Sequence, residues 1–267
     1  MMRTAIAQLI VSRDKQQNLD KILTCIAKAK AENADLVVFP EISMVLVPAD
    51  GSVKHAEIAE LLDGYFVSTL AAAAKKHSIY VICGIYESKA DESVRAYNTV
   101  VLLDDEGKLI HSYRKTHLYD AFSYHESRNI IPGDSGFVPV RTKLGTIGLL
   151  VCYELRFPEI SRTLALQGAE ILVVPTAWIT GAMKKEHLLT LSQARALENT
   201  VFVCIANQTG NIYTGRSVIY NPMGIVMANK GENEGLIFAE IDLDQARAIR
   251  EKLACMQQRR PELYKLN

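Results

Sequence analysis

Cys152 closes the apolar run Ile147-Gly-Leu-Leu-Val-Cys152, and the polar, aromatic segment Tyr153-Glu-Leu-Arg-Phe-Pro158-Glu159 follows at once. A thiol at such a boundary is held by a strand yet open to a cleft, and Pro158 marks the start of a helix behind it. It acts as a nucleophile only if a partner from elsewhere in the fold takes its proton or favours its thiolate. The other cysteines offer less. Cys83 and Cys204 sit inside apolar runs and read as core, and Cys25 and Cys255 lie on helices with no chemical setting.

Two more polar side chains stand where apolar runs end. Glu41 follows Leu36-Val-Val-Phe-Pro40, and Lys115 follows Leu109-Ile-His-Ser-Tyr113, which is itself of strand length. Taken singly, each reads as a solvated charge at a strand end. Taken with Cys152, they supply a base, a nucleophile and a cation for a developing oxyanion. Histidine, the usual partner of a reactive thiol, is not indicated. His55, His77, His111 and His187 fall in helical or turn settings that read as surface, and His117 and His125 lack an obvious orienting acid.

Apolar runs of strand length alternate with longer helical patterns, the sequence form of an α/β layer protein. Strands are expected over 4–9, 36–39, 80–86, 98–104, 146–151, 171–174, 201–206, 217–220 and 236–241. Helices are expected near 17–32, 54–77, 158–167, 184–199 and 243–255. One echo stands out: Ala34-Asp-Leu-Val-Val-Phe-Pro-Glu41 and Ala169-Glu-Ile-Leu-Val-Val-Pro-Thr176 share a pattern of small residue, acid, apolar strand, proline and polar residue. Either the chain holds two similar halves that deliver polar groups at strand ends, where open α/β sheets place their sites, or two strand sequences simply look alike.

With 267 residues, 49% of them hydrophobic, the chain is long enough for one large domain over 1–267. Thirty basic and thirty acidic side chains cancel without forming blocks, which argues against nucleic acid or a polybasic membrane patch and for a small-molecule partner. The N-terminal segment lacks a small-residue cleavage pattern, and no window approaches the ~18 apolar residues of a membrane span. A cytoplasmic protein is therefore expected. Five cysteines, with no pair spaced by two residues, argue against a disulfide framework and a cysteine-rich zinc site.

Three motifs, Phe39-Pro-Glu41, Tyr113-Arg-Lys-Thr-His-Leu118 and Cys152-Tyr-Glu-Leu-Arg-Phe-Pro-Glu159, resemble the nitrilase superfamily of carbon-nitrogen hydrolases, from about Ala5 to Tyr264. The resemblance implies a four-layer α-β-β-α sandwich, usually paired through a helical face into a homodimer, with no metal or organic cofactor. It implies Glu41 as general base, Lys115 as stabilising cation and Cys152 as nucleophile, with Glu126 as a further catalytic carboxylate. The cysteine motif, Glu126-Ser127 and the ending Gln258-Arg-Arg-Pro-Glu-Leu-Tyr264 look most like the omega-amidase and deaminated-glutathione-amidase branch. Glu154 stands where that branch commonly has aspartate, and Ala177-Trp178 where it often has a small residue plus phenylalanine. The implied reaction is hydrolysis of a small aliphatic amide through a thioester, with N-carbamoyl compounds or nitriles as the alternative substrates. Tyr119, Thr176 and Trp178 are candidate recognition residues, and the backbone N–H of Tyr153 is a candidate oxyanion donor. Arg156 either pairs with a substrate carboxylate or sits in an ion pair with Glu159 or another acid.

Overall fold

The computed structural model describes residues 1–48 and 50–264. Two mixed sheets carry the fold, and their strand orders match place for place. In space the first runs Gly235–Ile241, Met2–Gln8, Leu36–Val38, Tyr80–Glu87, Ala96–Leu103 and Leu109–Arg114, with Ile130–Ile131 paired to Ala96–Leu103. The second runs Val140–Thr142, Gly145–Leu149, Ile171–Thr176, Phe202–Asn207, Val218–Tyr220 and Val226–Asn229. In each, the second to fourth strands are parallel and the flanking pairs antiparallel. The echoing segments therefore occupy the third strand of each sheet. Counting from Leu36 and Ile171 puts Glu41 and Thr176 at equivalent places.

Burial on both faces explains why these strands read as continuous apolar runs rather than alternating ones. Ile6, Leu36, Val38 and Ile82 face the core that the first sheet shares with the second, while Ala5, Ala7, Val37 and Val81 face helices Lys15–Ala31 and Tyr65–His77. Helices Pro158–Leu166 and Lys184–Asn199 cover the second sheet through Ile160, Leu164, Leu188 and Ala196. The result is the expected α-β-β-α sandwich. Among the described residues, no helix is long and apolar enough to cross a membrane.

The nine expected strands appear with ends shifted by no more than two residues. The expected helix over 54–77 does not form as one piece: a short helix His55–Ile58 and the helix Tyr65–His77 flank an extended Glu60. Glu60 bridges to Glu87 of the first sheet, accepts the Phe66 N–H at 2.7 Å and pairs with Lys15 at 2.8 Å. Tertiary pairing overrides helical propensity there. The helix expected to reach 255 ends at Lys252 and is followed by a turn, Ala254–Met256.

Gly84 shows how tightly the first sheet approaches its site. A Cβ there would lie 2.6 Å from Glu41 Cα and 2.7 Å from both the Ile42 nitrogen and the Pro40 oxygen. Only a residue without a side chain lets that backbone pass. Gly84→Ala should therefore destabilise the protein by about 1–3 kcal/mol and displace Glu41; thermal melts compared with turnover would show a melting shift accompanied by a larger loss of activity.

Candidate active site

Glu41 leaves its strand through a tight turn in which Ile42 adopts φ +47°, a left-handed conformation that a β-branched residue rarely accepts. Bonds to both sheets hold the turn. Ser43 N–H donates to the Gly84 carbonyl at 2.9 Å, and Gln208 Nε2 donates to the Glu41 carbonyl at 2.9 Å. Lys115 follows Leu109–Arg114, its N–H bound to the Asn98 carbonyl at 2.9 Å and its carbonyl to Gly133 N–H at 2.8 Å. Its side chain is only 2% exposed.

The Lys115 ammonium lies between two buried carboxylates. Nζ is 2.9 Å from Glu41 Oε1, and 3.0 and 2.8 Å from the two oxygens of Glu126. Asn98 Nδ2 spans the same pair, donating to Glu41 at 2.7 Å and to Glu126 at 3.3 Å. Backbone donors complete the set: Ala177 N–H to Glu41 Oε2 at 2.8 Å and Tyr119 N–H to Glu126 Oε2 at 2.6 Å. Burial, the largest single influence on Lys115, would push its pKa down, but the carboxylates of Glu126 and Glu41 together hold it well above the ordinary value. The ammonium stays charged.

Cys152 opens a short 3-10 turn, Cys152–Arg156, with φ +48°. A left-handed cysteine at a strand end is a strained position that surrounding bonds must enforce. Glu154 supplies them. Its Oε2 accepts Val151 N–H at 2.7 Å, while Oε1 accepts the Tyr113 hydroxyl at 2.8 Å, Thr116 N–H at 2.8 Å and the Thr116 hydroxyl at 2.7 Å. One carboxylate thus ties the cysteine turn to the segment that carries Lys115. Burial and then Glu41 push the Cys152 thiol well up, against the opposing pull of Lys115, so the resting sulfur keeps its proton. The cleft beside it is open to solvent and holds about 670 Å³ of empty space including its mouth.

Most of the sequence-derived residues converge on this cleft: Glu41, Lys115, Glu126, Cys152, Tyr119, Tyr153, Arg156 and Trp178 line it. Thr176 does not. Its hydroxyl is sealed behind the cleft at the end of its strand, where it favours the Cys152 thiolate instead of facing a ligand. Arg156 forms no ion pair with Glu159 or any other described acid; it lies over the Trp178 and Tyr153 rings. His55 is a correction too. It lines the cleft edge-on to Tyr86, and burial pushes its pKa down to about 4. His111 lies half-buried in a strand rather than in a helix or turn, and His117 does find an acid, with Nδ1 3.9 Å from Glu154.

Asn98, Glu154 and Lys184 are the site residues that sequence reasoning missed. Asn98 carries a sequence signal, a lone amide at the head of a run buried on both faces. Lys184, in a polar helix start, carries none. For Glu154, burial would raise the pKa, but the bonds from His117, Thr116 and Val151 outweigh it and leave it lowered. A depressed folded pKa stabilises the fold fully above the unfolded carboxylate value, about 4.3, and that contribution disappears as the pH falls through the folded value. Glu154→Gln should destabilise the protein by roughly 2–4 kcal/mol near neutral pH. In denaturant titrations the gap from wild type should narrow only below about pH 4–5, the window these values set.

Residues 3–251 match the model of the carbon-nitrogen hydrolase family. The deaminated glutathione amidase of Escherichia coli is 36% identical over 261 residues, covering 97% of both chains. An omega-amidase of Saccharomyces cerevisiae is 31% identical over 279 residues, covering 98% of this chain and 94% of its own. Among solved structures, the Caenorhabditis elegans NitFhit protein superimposes with a TM-score of 0.92 at 28% identity, over 99% of this chain and 66% of its own, so this chain spans about two thirds of that protein. A variant amidase from Nesterenkonia sp., with acrylamide added to its active-site cysteine, superimposes at 0.82 with 27% identity over 99% of both chains. Sequence, fold and the disposition of the cleft agree: this chain belongs to the carbon-nitrogen hydrolase family.

Proposed function

We propose that the chain is a cysteine-dependent amidase that releases ammonia from a small aliphatic amide bearing a distal carboxylate. The observation that carries this is the buried Lys115 between Glu41 and Glu126, beside a cysteine held in a left-handed turn. The amidase names of the bacterial and yeast relatives support the substrate class. Arg156, free of any described acid at the mouth, supports the carboxylate.

Glu41 takes the proton from Cys152 as the sulfur attacks the amide carbon. The negative charge that develops on oxygen is met by the Lys115 ammonium and by the Tyr153 N–H, which as an early donor of its turn has no carbonyl within the turn to bind. Glu41 then passes its proton to nitrogen, the C–N bond breaks and ammonia leaves a thioester. Water, deprotonated by the same carboxylate, adds to the thioester; the C–S bond breaks, the carboxylic acid leaves and Cys152 regains its proton. Glu126 keeps Lys115 in place and charged throughout. Tyr119 and Trp178 bound the acyl chain, while Thr176 supports the sulfur from behind.

The whole of 1–267 is taken as one catalytic unit acting in the cytoplasm, a setting that five unpaired thiols favour. Leu166 and Leu197, exposed on helices over the second sheet, favour a homodimer through that face. Ammonia release from succinamate and related omega-amides should vanish in Cys152→Ala and fall by about 10²–10⁴ in Glu41→Gln. Near-normal rates in Glu41→Gln would remove it as sole base, and turnover confined to N-carbamoyl compounds or nitriles would overturn the substrate assignment.

A further inference from the structure

The mouth of the cleft carries a second cation. Lys184 lines it from the start of helix Lys184–Asn199 and has no carboxylate partner among the described residues. Its Nζ donates to the Tyr119 hydroxyl at 2.9 Å and lies 5.1 Å from that ring's centre and 4.0 Å from the centre of Phe122.

These contacts belong to a closed rim of three rings and two cations. Tyr119 meets Tyr153 edge-on at 5.1 Å. Arg156 lies 5.9 Å from the Tyr153 ring and 5.1 Å from the Trp178 ring. Trp178 Nε1 donates to the Lys184 carbonyl at 2.9 Å and closes the circuit. Arg156 also has a weak contact with His187 Nδ1 at 3.4 Å. The rings hold both cations at the mouth without neutralising them.

The charge balance says what they await. Inside, Glu41 and Glu126 against Lys115 leave one net negative charge, so an anionic group on the substrate is repelled from the reacting end and attracted to the rim. Resting on the amidase reading above, we infer that Lys184 is a specificity-determining residue that joins Arg156 in holding a carboxylate at the far end of the acyl chain. Its ammonium leaves the Tyr119 hydroxyl for the carboxylate, or shares the two.

Binding in the full-length Cys152→Ala protein separates this from catalysis. Calorimetry would compare succinamate with its neutral methyl ester in proteins carrying Lys184, Lys184→Arg and Lys184→Met. The preference for the acid over the ester should fall about ten- to a hundredfold in Lys184→Met and be largely kept in Lys184→Arg. Equal weakening of both ligands would mean that Lys184 only packs the Phe122 loop, and an unchanged preference, or binding of neither ligand, would equally overturn the inference. Wild-type ammonia release tells the two ideas apart. Preference that follows residue 184 without turnover sinks only the amidase reading, and turnover with a preference indifferent to residue 184 sinks only this one.

Discussion

An ammonium ion buried between two carboxylates is the constraint around which the rest of this structure is arranged. Taking three charges out of water costs several kcal/mol per ion unless each is paired and hydrogen-bonded, and losing one partner strands the others. The protein meets that demand from every side: Asn98 from the first sheet, the Ala177 N–H from the end of a strand in the second, and the Tyr119 N–H from the middle loop. Satisfying the trio therefore requires both sheets to end at one place. Burial first, and then the Glu41 carboxylate, keep the neighbouring Cys152 thiol protonated against the pull of Lys115, so on the proposed reading sulfur becomes nucleophilic only as Glu41 accepts its proton.

Backbone strain sits beside Glu41 and at Cys152 alike. Ile42, next to Glu41, and Cys152 itself both adopt left-handed conformations that cost of order 1–3 kcal/mol for residues other than glycine. Separate devices maintain them. Gly84 gives the Glu41 turn room to lie against the neighbouring strand, while Glu154 fastens the cysteine turn to the lysine segment with four strong bonds. Glu41 and Cys152 are thereby each held in place by the scaffold.

How much of this was legible in the sequence follows from which forces act locally. Strands buried on both faces must be continuous apolar runs, so their existence could be read, and polar residues at their ends stood out for the same reason. The duplicated Pro-polar endings left open whether two halves match or two strands merely look alike; both prove to be the third strand of their sheets, yet Glu41 enters the cleft and Thr176 stays behind it. Glu154 looked like a mere variant of an aspartate, because nothing local shows that it points inward toward five donors. His55 looked like surface, since the helix expected to carry it past Glu60 gives way to a pairing with Glu87, far off in sequence. The hairpin Asp120–Ala121 with Tyr124–His125 turns through left-handed Phe122 and Ser123, without the glycine or asparagine that announces such turns.

The placement of charge along the cleft gives the chemistry a direction. On the proposed reading, a neutral amide approaches the interior, where two carboxylates outnumber one ammonium, and a carboxylate on the same molecule is driven outward to the cations of the rim. At an effective dielectric near 20, two unit charges 4 Å apart interact by about 4 kcal/mol, enough to select one orientation of a substrate whose two ends differ only in charge. Rings around the rim strengthen this by excluding water from the cations they hold. Orientation would then be fixed before any contact with the sulfur: the carboxylates that keep Lys115 charged are, on the same proposal, what turns the amide end of the substrate inward.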